Sequence, residues 1–260
     1  MVVLTLLEKV YGPSKRIAWK RLERTLFSIT SGVEVELNIL GENERGWVKL
    51  EVLGEDEIVV KNYLARRFGL APPSLEGLQA PVKLRGKVVD SGKIGYGVYV
   101  DVGVTRPEAI DVLIPLYTLR SQLAEGRSLS TREMIDLFCL HDNLPLEVLL
   151  TRSDLEKREA EGEFSKGQLS KFRGWISSGL NRVIILGATS DQVRSAVRRT
   201  GASRYIVRIE RLGMLEHSLT CKPGTDGPGM IAKIGQRLPR VPLYAFSPRR
   251  VKNRLKEIHE

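Results

Sequence analysis

Hydrophobic and polar positions along this chain change period several times, and each change marks an element. Residues 2–10 form an apolar run that reads as a first strand. Ser14 then stands ahead of Ala18, Leu22, Leu26 and Ile29, whose spacing predicts a helix with Ser14 as its cap. Val33, Val35, Leu37 and Ile39 alternate with Glu34, Glu36 and Asn38, the period of a strand with one buried face. A turn-rich stretch over 41–46 leads into a second alternating run at 47–53, which predicts a hairpin. Residues 55–68 predict another helix.

Ala71-Pro72-Pro73-Ser74 stops any helix and marks a boundary. Beyond it, strands are predicted at 82–90, 97–103 and 111–116. A helical stretch follows over 121–141, with Ser130 as a cap, then strands at 144–152 and 163–165. A helix over 166–179 joins the middle to the last third. There the elements are a strand at 182–186 and a helix that Ser190 caps and that runs through Thr200, ended by Gly201. Two hairpin strands, 204–212 and 214–222, flank Gly213, and a helix at 230–238 and a strand at 243–246 complete the unit. The last third therefore reads β-α-β-β-α-β, the order of a ferredoxin-like unit. The first third reads as an incomplete version with its last strand unassigned. Three units are expected: residues 1–76, 80–165 and 166–260.

The middle unit carries the more specific pattern. Gly86-Lys87-Val88 is followed by Gly95-Tyr96-Gly97-Val98-Tyr99-Val100-Asp101 and then by Leu113-Ile114-Pro115. This succession resembles the S1 family of RNA-binding OB folds. The resemblance implies a small barrel with stacking aromatics at Tyr96 and Tyr99. It also implies that residues 144–165, with Asp154 and Phe164-Ser165, supply the last two strands. Gly95 and Gly97 suit a sharply curled strand. Val98, Val100 and Val102 alternate with Tyr99 and Asp101, so one set fills the barrel and the other faces out. The sequence departs from many S1 domains at Pro115, where they carry histidine. The fold class expected is α+β, a central S1-like OB barrel flanked by two ferredoxin-like α/β units. Over nearly its full length the chain is similar to an uncharacterised archaeal family, domain of unknown function 2110. The stretch 208–238 carries that likeness best, with Leu212-Gly213-Met214-Leu215-Glu216-His217 and Gly224-Thr225-Asp226-Gly227-Pro228-Gly229.

Composition narrows the function. Of the 260 residues 42% are hydrophobic, enough for a packed core. The two cysteines, Cys139 and Cys221, match no metal or redox spacing, and the apolar start lacks the basic leader and cleavage site of a signal peptide. No run approaches the roughly 20 apolar residues that span a bilayer, so a cytoplasmic protein without a membrane partner is expected. The net charge of +10 is unevenly placed. Residues 1–79 hold 11 basic and 11 acidic side chains, residues 80–165 hold 11 and 14, and residues 166–260 hold 19 and 6. The positive excess lies in the last third, which points to a polyanion partner there.

Several residues carry candidate chemistry. Tyr96 and Tyr99, with Lys93 beside them, suit a single strand, because every base offers a π-face. Packing of the tyrosines against the helical insertion is the alternative. Arg194 and Arg198 share one helix face, and Arg204 and Arg208 are expected opposite the core residues Tyr205, Val207 and Ile209, on an open sheet face. Residues 249–256 add a basic tail.

The glycine loop Gly224, Thr225, Gly227, Gly229 is a candidate phosphate loop at a helix start. It lacks the Gly-Lys-Ser/Thr of a P-loop, and the preceding strand argues against a KH loop. The alternative is a tight β-to-α turn with Asp226 near the helix start favouring the dipole. His141, His217 and His259 have no metal spacing, and no catalytic elbow or carboxylate pair is evident. Asp90, Asp101, Asp111 and Asp226 are the acids that a hidden cluster would use.

The expectation is an RNA-binding protein of translation, ribosome assembly or RNA processing, not an enzyme and without a cofactor, whose partner is RNA or the ribosome. The alternatives are a scaffold docking on a ribosomal protein or RNA polymerase, and an RNA-modifying enzyme.

Overall fold

The computed structural model describes every residue except 30, 31, 77, 106, 107, 155 and 258–260, so His259 lies outside the described residues. The protein is a mixed α+β chain with a closed five-stranded barrel at its centre and a helix-bearing sheet on either side.

The first unit runs β1 (Val2–Lys9), α1 (Lys15–Ile29), β2 (Val35–Glu42), β3 (Trp47–Gly54) and α2 (Glu57–Arg67). Its sheet has the order β1-β3-β2, antiparallel throughout. Ala18, Leu22 and Leu26 bury one face of α1 as their spacing requires. Ser14 precedes the helix, but its buried hydroxyl has no hydrogen-bond partner among the described residues. The place of a fourth strand is taken by a stub: Leu70 bridges Leu6, and Ala71 donates to the Thr5 carbonyl at 2.9 Å. The prolines that follow lack the N–H groups needed to extend it.

The barrel closes in the order β4-β5-β6-β8-β7, from β4 (Val82–Val89), β5 (Gly97–Asp101), β6 (Asp111–Pro115), β7 (Pro145–Asp154) and β8 (Glu159–Phe164). Val98, Val100 and Val102 fill it. Gly97 is required by close approach: a Cβ there would stand 2.5 Å from the Ile114 carbonyl oxygen. Gly95 has open space, so its lack of a side chain is not what curls the strand. The helical insertion is two helices, not one. α3 (Leu116–Leu123) and α4 (Thr131–Phe138) are separated where Glu125 and Gly126 adopt positive φ. Ser130 caps α4 in a reciprocal box with Glu133.

The last unit comprises α5 (Lys166–Ser177), β9 (Arg182–Leu186), α6 (Ser190–Arg199), β10 (Ile206–Arg211), β11 (Glu216–Cys221), α7 (Gly227–Gly235), β12 (Leu243–Phe246) and α8 (Pro248–Glu257). Its four strands are antiparallel in the order β10-β11-β9-β12. Thr189, not Ser190, caps α6, because Gln192 three residues on completes a capping box. The expected basic tail is helix α8, pinned by buried Val251.

Two seams join the units. At the first, the aromatic rings of Phe138, Phe164, Phe172, Trp175 and Phe246 lie 5.5–6.1 Å apart in a chain from barrel to C-terminal sheet. Ile184, Leu186 and Phe246 of that sheet share one core with the barrel. At the second, Met214 and Leu215 enter the core of the N-terminal unit, Met214 N donates to Glu8, and the buried Lys9–Asp101 and Tyr11–Glu216 contacts tie that unit to the barrel and to the C-terminal sheet.

Candidate nucleic-acid interface

Tyr96 and Tyr99 meet on the outer surface of the barrel. Their rings are edge-on, 6.5 Å between centroids, with hydroxyls 3.2 Å apart. Tyr96 is 57% exposed, so most of its ring is open rather than packed on the insertion; Tyr99 is half-buried. The hydrogen bond to Tyr96, then partial burial, pushes the Tyr99 hydroxyl up to about 12, with Asp111 and Glu159 adding to the effect. Leu116 donates to the Tyr96 carbonyl at 2.8 Å, which puts Tyr117, 70% exposed, at the same end of the barrel. Sequence reasoning missed Tyr117, because a lone aromatic at a helix start carries no periodic signal. Lys93 is exposed and ion-paired to Asp90.

The C-terminal arginines lie elsewhere. Arg194 and Arg198 are exposed on α6, whose buried Val193, Ala196 and Val197 pack with Val183 and Ile185 on the sheet face away from the barrel. Arg204 lies in a short 3-10 turn, Ala202–Tyr205, with its guanidinium 4.9 Å from the Tyr205 ring. A bulge between Ile206 and Arg208 breaks the expected alternation. Val207 consequently points out, 58% exposed, while Ile206 and Ile209 pack inward and exposed Arg208 takes the opposite face. That face is not open. Its centre is covered by the aromatic seam, and Arg208 stands at its edge strand. The tyrosines and the α6 arginines thus occupy separate surfaces.

The glycine loop is a capped turn in this structure. Asp226 accepts from the Gly229 N–H at 2.6 Å, and Pro228 offers no N–H, so two donors a phosphate would use are taken or missing. Of the four acids, only Asp101 and Asp111 are neighbours, paired across β5 and β6 and bridged by Arg45. Asp90 holds Lys93, and Asp226 caps its helix. No group of His, Cys, Asp and Glu among the described residues is disposed to hold a metal ion. Both cysteines are free and buried.

His217 is buried and bonded through Nε2 to the Ser190 hydroxyl at 2.8 Å, and burial pulls it down to about 4. Its Nδ1 has no side-chain partner among the described residues, so the carboxylate or amide that would orient it in a nucleophilic triad is missing there. His141 stacks on Tyr244, ring centroids 3.6 Å apart.

The most buried polar chemistry lies where the three units meet. Asp101 points out of the barrel as its alternation predicts, yet it is fully buried, because outward here means into the N-terminal unit. It accepts from Lys9 Nζ at 2.7 Å and Trp47 Nε1 at 2.9 Å. Glu216 accepts from Lys87 Nζ and the Tyr11 hydroxyl, each at 2.7 Å. Burial lowers Lys9 and raises Glu8, whose carboxylate accepts from Met214 N at 3.0 Å. Burial, then Glu216, raises Tyr11 well above the usual phenol range. The pairs span 92, 129 and 205 residues, a separation no local pattern reports.

No helix among the described residues is long and apolar enough to cross a membrane. A comparison with curated proteins returns no match. Three family models match in succession: the DUF2110 N-terminal domain over residues 1–74, the DUF2110 central domain over 79–176 and the DUF2110 C-terminal domain over 180–242. The chain belongs to the DUF2110 family.

Proposed function

We propose that this protein binds single-stranded RNA in translation, ribosome assembly or RNA processing, with the barrel serving as an S1-type OB domain between two ferredoxin-like units. The observation that carries this reading is the exposed Tyr96–Tyr99 pair on a closed five-stranded barrel. Aromatic rings on such a barrel stack bases with little sequence preference. The basic last third supplies the phosphate attraction. Fluorescence anisotropy with a labelled oligouridylate tests it. Binding is expected to weaken steeply as salt rises. Tyr96→Ala and Tyr99→Ala should each cost about 1–3 kcal/mol of affinity, and Arg204→Glu/Arg208→Glu should weaken binding and flatten its salt dependence. Unchanged affinity in the tyrosine double variant would remove the stacking role.

One observation favours a second reading, a scaffold that docks on a basic protein. The surroundings of the tyrosines are acidic, with Asp111 and Glu159 near Tyr99 and Asp142 near Lys93. A partner that survives nuclease treatment in a pull-down would favour the scaffold; loss of the partner favours RNA.

A further inference from the structure

A cleft of about 390 Å³ opens where the three units meet, and of the five cations that line it Arg67, Arg85, Lys171 and Arg211 have no close carboxylate partner among the described residues, Lys87 being paired with Glu216. Arg67 and Phe68 line it from the N-terminal unit, Arg85 and Glu147 from the barrel, Lys171 from α5 and Arg211 from the end of β10. Lys83 and Arg85 share Glu147 at 3.7 and 3.9 Å. Lys171 and Arg182 share Glu210 at 3.5 and 3.9 Å. Arg211 donates through Nε to the Gly213 carbonyl at 3.0 Å and comes no closer than 3.9 Å to Glu8 with its terminal nitrogen. Arg67 has no carboxylate partner among the described residues; it donates to the Tyr63 hydroxyl at 3.0 Å and lies 5.6 Å from the Phe68 ring.

Five cations in or beside the cleft therefore share three carboxylates while Arg67 has none, and none of these ion pairs reaches the roughly 2.7–3.2 Å of an N–H···O bond. The acceptors are committed elsewhere. Glu147 accepts from the Ser165 hydroxyl at 2.6 Å, and Glu8 from Met214 N at 3.0 Å. At the same junction the ion pairs of Lys9 and of Lys87, which itself lines the cleft, close to 2.7 Å, so the chain forms tight pairs where its architecture calls for them. The pairs of Lys83, Arg85 and Lys171 are loose and partly exposed, so they contribute little and are given up at little cost. Phosphate oxygens form short charge-assisted bonds with such cations and release counterions in doing so. The cations fall at three separate carboxylates, which suits successive phosphates of a chain better than one isolated anion.

We propose that this junction cleft holds the phosphate backbone of single-stranded RNA, with the half-buried Phe68 ring beside it as an apolar contact for a base. The cleft, rather than the outer face of α6, is then the main electrostatic grip. This rests on the RNA-binding reading above, and the experiment separates the two. Binding of a labelled oligouridylate is measured across a potassium chloride series for the wild-type chain and for Arg85→Gln/Lys171→Gln/Arg211→Gln. Arg194→Gln/Arg198→Gln serves as the remote comparison, and circular dichroism checks each fold.

Loss of three phosphate contacts predicts a log K against log salt slope shallower by about 2 in the cleft variant, at about 0.7 per contact on a single strand. The α6 variant should change it less. Should the triple variant fail to fold, Arg67→Gln and Arg85→Gln singly should each remove about 0.7 of slope. Wild-type binding whose slope the cleft substitutions leave intact overturns the cleft while the RNA reading stands. A wild-type chain with no salt-dependent RNA binding overturns both.

Discussion

The two seams that hold this molecule together are made of opposite materials. Barrel and C-terminal sheet meet through aromatic rings, Phe138 and Phe164 against Phe172, and Trp175 against Phe246. The N-terminal unit meets the rest largely through buried polar groups: Lys9 and Trp47 donate to Asp101 of the barrel, and Tyr11 donates to Glu216 of the C-terminal sheet, a carboxylate that Lys87 of the barrel also pairs. Apolar burial is strong and non-directional, so the first seam supplies stability. A buried ion pair gains little net energy over apolar residues of like volume, but losing one partner leaves a stranded charge. The second seam therefore specifies orientation more than it stabilises. It orients the walls of the basic cleft, because Lys87 and Glu8 line that cleft as well as belonging to the seam.

Breaking the seams one at a time sharpens the contrast. The largest effect is expected at the aromatic seam, where Phe172→Ala should cost about 3–5 kcal/mol. Barrel and C-terminal sheet should then lose stability together, read as a single shifted transition in urea. Lys87→Met should also destabilise, by about 3–5 kcal/mol, because it leaves Glu216 in a buried site with the Tyr11 hydroxyl as its one remaining side-chain donor among the described residues. Hydrogen exchange should rise first in β4 and β11, the strands that carry the pair. The double variant Lys87→Met/Glu216→Leu should recover most of that loss; no recovery would mean the pair itself is a net stabiliser.

Acid should act through His217. Its folded pKa of about 4 lies below the ordinary value near 6.5, so the unfolded chain takes up a proton that the folded chain refuses. Stability from this group is full above pH 6.5 and falls as pH drops toward 4, by about 3 kcal/mol in all. Urea midpoints across that window should fall more steeply for wild type than for His217→Gln. The smallest effect is local: Ser130→Ala, which removes the α4 capping box, should cost about 1 kcal/mol by thermal melting and leave both seams intact.

What the sequence discloses follows the same division. Strands and helices with one apolar face are visible in the alternation of β2 and β3 and in the Ala18–Leu22–Leu26 stripe, because their burial is periodic. The barrel pattern around Gly97 is visible because close approach to Ile114 excludes any side chain there. The register of β10 is not visible, since the bulge at Val207 costs one residue of phase and leaves no compositional mark. Nor is the ionic seam. Asp101 reads as a solvent-facing residue of a barrel strand until the N-terminal unit covers it. The tyrosines were legible as candidate stackers, but their separation from Arg194 and Arg198 depends on which face of the C-terminal sheet the barrel occupies.

The most direct test of RNA binding is crosslinking of the intact protein to RNA in cells, with mass spectrometry of nucleotide-bearing peptides and sequencing of the recovered RNA. The account predicts crosslinks on the peptides containing Tyr96 and Tyr99 and on the one containing Phe68, at single-stranded sites. Absence of crosslinks at both, or recovery of RNA no greater than from a chain lacking the tyrosines and the cleft cations, would contradict it.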